Sequence, residues 1–79
     1  MNYLEAINIG SSILKFNKID SYKLDSEILL SNILNTSREQ VLVNLNKNLK
    51  LKNFLEYKKL ISRRKSKEPI AHILNNKEF

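Results

Sequence analysis

Residues 63–79 read RRKSKEPIAHILNNKEF. The first five of these residues carry four positive charges, which favours the C-terminal end of a helix, where cations complement the helix dipole. Pro69 suits the first turn of a following helix, because Pro lacks the N–H that a first turn leaves unbonded. We expect Ile70, Ile73 and Leu74 to pack inward from that helix. The segment therefore predicts two helices joined by a tight turn.

The rest of the chain carries the apolar spacing of helices. Helices are predicted over Tyr3–Phe16, Tyr22–Leu34, a short stretch ending at about Leu45, and Leu51–Ser66, before the one that follows Pro69. With one Gly and one Pro, the sequence lacks the turn residues that a many-stranded sheet requires. The expected fold class is all-α, a small five-helix bundle.

The predicted core consists of the apolar residues on one side of each helix. They are Leu4, Ala6, Ile7, Ile9, Ile13, Leu14 and Phe16, then Leu24, Ile28, Leu29, Ile33 and Leu34, then Val41, Leu42 and Leu45, and lastly Leu51, Phe54, Leu55, Tyr57 and Ile61. Gly10 lies inside the first helix at a cost of about 1 kcal/mol relative to Ala. It either lets another helix approach closely or is simply tolerated.

Capping residues bracket these helices. Residue types that favour the N-cap position occur at Asn2, at Asp20 or Ser21, and at Thr36 and Ser37. Thr36 with Glu39 and Ser37 with Gln40 form two overlapping capping boxes. Asn35 is expected to end the second helix, and Glu68 to cap the fifth. The sequence thus marks most helix ends by local chemistry.

The length of 79 residues allows one domain, with a stability of only a few kcal/mol. No Cys is present, so neither a disulfide nor a thiolate metal site is possible. No apolar run approaches the roughly 20 residues that span a bilayer, and the N-terminus lacks the basic region of a secretory signal. We therefore expect a soluble cytoplasmic protein without membrane contact, and a monomer.

The net charge of +6 is concentrated in the second half of the chain. Residues 1–44 hold four bases and five acids, which leaves −1, whereas residues 45–79 hold ten bases and three acids, which leaves +7. Such a basic field attracts nucleic acid or an acidic protein surface. Equally, the abundance of Lys, Asn and Ile indicates a compositional bias that puts Lys at any tolerant surface position.

The sequence offers no catalytic, cofactor or metal site. His72 is the only His, and one glycine cannot form a phosphate-binding loop. Glu68 is better explained as a helix cap than as an acid or base. The pair Arg63 and Arg64 is suited to binding phosphate or carboxylate, or, as we favour, to bonding carbonyls at the helix end and pairing with Glu68.

Two motifs at a fixed separation resemble one enzyme family. The segment from Arg63 to Phe79 is similar to the pattern Arg-Arg…Glu-Pro-Ile-Ala-Tyr/His-Ile-Leu-Gly…Glu-Phe of the peptide chain release factor glutamine methyltransferases, the HemK family. Residues 24–30, LDSEILL, resemble Leu-Asp-Ala-Glu-Leu-Leu-Leu in its second helix. Asn75 stands where that family has Gly, so we expect a left-handed residue there. Ser21 and its neighbours also lack the Pro often found before the second helix.

The resemblance implies the N-terminal domain of a two-domain S-adenosylmethionine-dependent methyltransferase. It implies a helical release-factor-binding domain over residues 1–75, and the start of a linker to a catalytic domain over residues 76–79. In the family, the enzyme methylates the Gly-Gly-Gln glutamine of class I peptide chain release factors. This chain alone is then expected to bind no cofactor and to catalyse nothing, and its ending suggests truncation.

One basic cluster is the candidate partner-binding surface. Its members are Lys58, Lys59, Arg63, Arg64, Lys65 and Lys67. In the leading interpretation these residues help to dock the release factor. The alternative is a small basic helical nucleic-acid-binding domain that uses the same residues, although no aromatic residue is interleaved with them. A third possibility is a domain without activity of its own, whose function belongs to the parent enzyme.

Overall fold

The computed structural model describes residues 1–75. Its helices are α1 (Tyr3–Phe16), α2 (Tyr22–Ile33), α3 (Arg38–Leu42), α4 (Leu51–Lys65) and α5 (Ile70–Asn75). Within this range the β-type pairing is a single isolated bridge between Asn2 and Asn48. The prediction of an all-α protein with five helices is confirmed. The expected linker at residues 76–79 lies outside the described residues.

A capping box starts α1 and fixes its position. The Glu5 N–H donates to Asn2 Oδ1 and the Asn2 N–H donates to Glu5 Oε1, both at 2.8 Å. The Leu49 N–H donates to the Met1 carbonyl at 2.8 Å, just before α4 begins. At the other end, Lys67 Nζ donates to the carbonyl of Asn17, the C-cap of α1. Helices α1 and α4 therefore lie side by side and run in the same direction.

Helix α2 is the centre of the bundle and packs against the four other helices. Leu29 and Leu30 are fully buried on it. Because other helices pack around α2, four of its polar residues are also buried, namely Asp25, Ser26, Glu27 and Ser31. Ser26 Oγ donates to the Lys23 carbonyl within the helix. No buried side-chain N or O atom in the described range lacks a hydrogen-bond partner.

Gly10 allows the close approach of α1 to α4. A Cβ at this position would lie 2.2 Å from the Tyr57 hydroxyl and 2.9 Å from Ile61 Cδ1. Tyr57 is fully buried and its hydroxyl donates to the Ser26 carbonyl at 3.1 Å. Burial raises the pKa of the Tyr57 phenol above its ordinary value. Of the two explanations for this glycine, the structure supports close helix approach.

The inward faces differ in part from the prediction. Residues expected in the core but exposed are Leu4, Ile9, Phe16, Leu24, Leu51 and Leu55. Leu30 and Leu60 are buried although the sequence analysis did not select them. On α2 the buried face contains Ser26, and this polar residue interrupts the apolar pattern by which a buried face is recognised in a sequence. On α4 the buried face contains Tyr57, Leu60 and Ile61, so Leu51 and Leu55 fall outside it.

Several helix ends also differ. Helix α3 ends at Leu42, not at about Leu45, and Ser37 caps it by accepting from the Gln40 N–H at 3.1 Å. Ser21 lies at the N-cap of α2, but its hydroxyl donates to Asp25 Oδ2 and does not cap the helix. Asn35 ends α2 with a φ of 54°, as expected.

The fifth helix confirms the expected packing but not the expected end. Ile73 is fully buried, and Ile70 and Leu74 pack against the core. Asn75 is the last residue of α5 and does not belong to the positive-φ residues, so the left-handed conformation expected there is wrong. In the described part of the chain, no helix has the length and apolar character needed to cross a membrane.

Candidate functional site

Arg64 links three parts of the bundle through internal bonds. Its Nε donates to Asp25 Oδ2 at 2.9 Å, and its Nη1 donates to the Glu68 carbonyl at 3.1 Å. Ser21 Oγ donates to the same Asp25 oxygen at 2.7 Å. The Arg64 side chain is 18% exposed and that of Asp25 is 6% exposed. The two motifs noted in the sequence thus meet in space, where they hold α2, α4 and the turn before α5 together.

Arg63 pairs with Glu68 across the turn between α4 and α5. Arg63 Nε donates to Glu68 Oε1 at 2.9 Å and Nη2 donates to Oε2, while His72 Nδ1 lies within hydrogen-bond distance of Oε2. These hydrogen bonds, that from Arg63 first, lower the pKa of Glu68 to about 2. The hydrogen bond with Glu68 raises the pKa of Arg63. The predicted Arg63–Glu68 pair is confirmed, and Glu68 acts in ion pairing where a helix cap was expected.

The six residues of the candidate partner-binding cluster therefore divide into two groups. Arg63 and Arg64 are partly buried and engaged in these internal ion pairs. The four lysines of the cluster are exposed: Lys58, Lys59, Lys65 and Lys67. Lys58 Nζ lies 6.0 Å from the centre of the Phe54 ring, and Lys67 Nζ donates to the Asn17 carbonyl at 2.7 Å. The surface available to a partner is thus formed by lysines rather than arginines.

A groove lies between the C-terminal halves of α1 and α4, and we call it the α1–α4 groove. Its volume is about 650 Å³, and its lining residues are Ser12, Ile13, Phe16, Asn17, Lys58, Ile61, Ser62 and Lys65. Phe16 is 79% exposed, Ile13 is partly buried, and Ile61 forms part of the buried core. The groove therefore combines an apolar surface with two lysines at its edge.

Only part of this groove is predicted by the sequence. The charge pattern indicates Lys58 and Lys65, whereas the apolar spacing of α1 places Phe16 and Ile13 in the core. The spacing of Phe16 on α1 is compatible with burial, and only its position at the last helical residue, beside the polar turn that follows, signals exposure. Among the described residues no group of three or more His, Asp or Glu side chains could hold a metal ion.

Comparison with known proteins identifies similar sequences across most of the chain. The family model described as the PrmC N-terminal domain matches residues 5–74. A release factor glutamine methyltransferase of Clostridium botulinum is 37% identical over 70 residues, which cover 89% of this chain and 25% of that protein. One of Buchnera aphidicola subsp. Acyrthosiphon pisum is 37% identical over 71 residues, covering 90% of this chain and 26% of its own.

A bifunctional methyltransferase of Rickettsia felis is 40% identical over 67 residues, covering 82% of this chain and 13% of that protein. The chain therefore spans about a quarter or less of the length of these relatives. No solved structure matches it.

Proposed function

Because this chain belongs to the PrmC N-terminal domain family, we propose that it is the substrate-docking domain of a release factor glutamine methyltransferase. The observation that carries the proposal is its similarity, over 89% of its length, to a relative of that name. The parent enzyme would methylate the Gly-Gly-Gln glutamine of class I peptide chain release factors. We further propose that it acts as a monomer in the cytoplasm, where these factors work.

The described residues do not fit a binding site for S-adenosylmethionine, the methyl donor of the proposed parent enzyme. The α1–α4 groove has two lysines at its edge and no carboxylate among its lining residues to accept from ribose hydroxyls. The chain contains one glycine, and Gly10 is in contact distance of Tyr57 inside the core. In the proposed function these residues bind and orient the release factor, and the methyl transfer would take place in another part of the enzyme.

Docking would accelerate methylation by positioning. A release factor held at a second surface presents its glutamine to the catalytic pocket with less loss of rotational and translational freedom. The exposed residues Lys58, Lys59 and Lys65 lie on one rigid helix that is anchored at both ends. The helix fixes the backbone positions of these lysines relative to one another, so the entropic cost of association comes mainly from ordering their side chains.

The test has two arms. In the first, the 79-residue chain is titrated with a class I release factor by isothermal calorimetry, and we expect weak, salt-sensitive binding. In the second, residues 1–75 are deleted from an enzyme that carries this domain. We expect the KM for the release factor to rise more than kcat falls. Absence of binding, together with an unchanged KM after the deletion, would reject the docking role.

The exposed lysines also favour a second candidate function, nucleic-acid binding. Contacts with phosphates would make the affinity fall with salt, with a slope of about one per phosphate contacted. The internal ion pairs of Arg63 and Arg64 weaken this candidate, because they remove the side chains best suited to bind phosphate. Binding of a uridine oligonucleotide that is tighter than binding of the release factor would favour it.

A further inference from the structure

We infer that the α1–α4 groove is the docking surface, and that its occupant is an acidic segment of the partner protein bearing one large apolar side chain. This inference rests on the proposed docking function and specifies where that function is located. It adds Phe16 to the lysines as the residue in contact with the partner. Three properties of the groove support this inference: its apolar surface, its size and its charge.

Phe16 is not an isolated exposed residue, because it forms part of the apolar surface of the groove. Phe16 is 79% exposed, yet it lies beside Ile13 and Ile61, so its ring extends a surface that is continuous with the core. An exposed aromatic residue next to a concave apolar surface is typical of protein interfaces, where aromatic residues are enriched and a few anchoring residues carry most of the binding energy. Burying this ring against a partner removes it from water, which provides the driving force.

The size of the groove suits one anchoring side chain and its neighbours. Its walls extend from Ser12 on α1 to the C-cap Asn17, about 8 Å along the helix axis, and from Lys58 to Lys65 on α4, about 10 Å. This length accommodates about one or two turns of a partner helix or three residues of an extended segment. Ser12, Asn17 and Ser62 place polar groups around the apolar surface, as at the rim of an interface.

The charge of the groove selects an acidic occupant. Lys58 and Lys65 lie on the same side of α4, seven residues apart, and no Asp or Glu is among the lining residues. Lys67 lies at the end of the groove, where its ammonium group covers the Asn17 carbonyl and offsets the negative end of the α1 dipole. The nearby carboxylate of Glu68 is already neutralised by Arg63. Carboxylates on a partner would therefore find two cations beside the anchor site.

A nucleic acid fits this surface less well. Proteins that bind single strands stack successive bases on several aromatic side chains along a basic path. Among the described residues Phe16 is the one Phe or Tyr side chain that is largely exposed, and Lys15 Nζ lies 5.5 Å from the centre of the partly buried Tyr22 ring. A single aromatic ring beside two lysines can bind one apolar side chain of a protein, but it cannot stack the successive bases of a nucleic-acid strand.

The experiment compares groove variants with matched controls in the 79-residue chain. Phe16→Ala removes the apolar anchor, and its control is Val43→Ala, because Val43 is 74% exposed and lies at the end of α3. Lys58→Glu combined with Lys65→Glu reverses the groove charge. The charge control is Lys23→Glu combined with Lys52→Glu, two exposed positions outside the groove. Circular dichroism during urea unfolding verifies that each variant folds.

Two ligands are titrated, a class I release factor and a synthetic amphipathic helix with Glu on one face and Leu and Phe on the other. Binding is followed by amide chemical shifts of the labelled chain. We expect shifts centred on the groove, a loss of affinity of about tenfold or more for Phe16→Ala, and controls within about twofold of the native chain. The charge reversal should weaken binding several-fold at low salt, and less so above about 0.15 M.

The outcomes separate the groove from the proposed function. If the release factor binds the native chain and the groove variants equally well, the groove inference is wrong and the docking function stands. If the release factor does not bind, the docking function is rejected. The titration with the acidic helix then tests whether the groove binds an acidic segment. Binding of this helix at the groove, abolished by Phe16→Ala, would retain the inference, and its absence would reject it. Tighter binding of a uridine oligonucleotide at the same residues would also reject it.

Discussion

Replacing Gly10 with Ala tests whether the contact between α1 and α4 determines the stability of this bundle. Gly10 lies in the middle of α1, where Ala would ordinarily stabilise a helix by about 1 kcal/mol. The structure indicates the opposite result. The added Cβ would lie 2.2 Å from the Tyr57 hydroxyl and 2.9 Å from both Tyr57 Cζ and Ile61 Cδ1, well inside van der Waals contact.

The magnitude follows from the two ways in which the clash can be relieved. Separating α1 from α4 is a form of overpacking, which costs about 1–3 kcal/mol. Moving the buried Tyr57 ring breaks its hydrogen bond with the Ser26 carbonyl, which costs about 1–3 kcal/mol if the hydroxyl stays unsatisfied. After subtraction of the gain in helix propensity of about 1 kcal/mol, we expect Gly10→Ala to lower the free energy of unfolding by up to about 2 kcal/mol.

The assay is urea unfolding followed by far-ultraviolet circular dichroism, with thermal unfolding as a second measurement. Each 1 kcal/mol corresponds to a fall in Tm of about 4–8 °C in a domain of this size. The control is Tyr57→Phe, which removes the nearest clashing atom. In that background Gly10→Ala should cost less, and the double-mutant cycle measures the difference.

Two results would refute the reasoning. One is stabilisation by Gly10→Ala, which would mean that the glycine is merely tolerated. The other is an equal cost in the presence and absence of the Tyr57 hydroxyl, which would mean that this contact does not set the distance between α1 and α4.

Two further predictions concern the ion pairs around α4. The Arg63 hydrogen bond lowers the pKa of Glu68 from 4.5 to about 2, so its stabilisation is present above pH 4.5 and is lost as the pH falls towards 2. Urea midpoints between pH 5 and 2 should fall less steeply in Glu68→Gln than in the native chain, and parallel curves would contradict this. Arg64→Ala leaves the Asp25 carboxylate buried without its cation, so we expect a loss of about 3 kcal/mol in urea unfolding. Combining it with Asp25→Asn should restore part of that loss, and an additive effect of the two changes would argue against the pair.

Helix positions were predicted well because their signals are local. Asn2 caps α1 by accepting from the Glu5 N–H, Asn35 lies just beyond the end of α2, and the helix predicted at Pro69 is α5, so all three positions agree with the sequence. Caps and turns depend on residues within about four positions of one another, so a single sequence contains the information. The end of α3 was missed because Leu45 continues the apolar spacing of Val41 and Leu42 although it lies in the turn after the helix.

The inward faces were predicted less well because burial depends on what surrounds each helix. Leu24 and Leu55 have the spacing of core residues, yet 44% of Leu24 and 52% of Leu55 remain exposed. Ser26 is buried although it is polar, since its hydroxyl is satisfied within α2 and its carbonyl accepts from Tyr57. The burial of Ser26 follows from the central position of α2, and the exposure of Leu24 and Leu55 shows which sides of α2 and α4 lack a neighbour; periodicity within one segment reveals neither.

The candidate site shows the same division. The charge pattern selected Lys58 and Lys65, which are exposed at the groove, and also Arg63 and Arg64, which are used inside the protein. Arg64 contacts Asp25, 39 residues earlier in the chain, so its role depends on a contact that only folding creates. Phe16 was assigned to the core because its spacing on α1 fits burial. Spacing does not show that the last residue of the helix extends beyond the neighbouring helices.

The sequence by itself determined that this protein is a small bundle of five helices, where most of them start and stop, and which half carries the positive charge. These properties depend on backbone hydrogen bonding, capping and composition, all of which act over a few residues. The tertiary structure decided which apolar residues form the core, which cations remain free for a partner, and that Gly10 sets the distance between two parallel helices. Those properties depend on contacts between segments far apart in the chain, whose energies arise only when the helices pack.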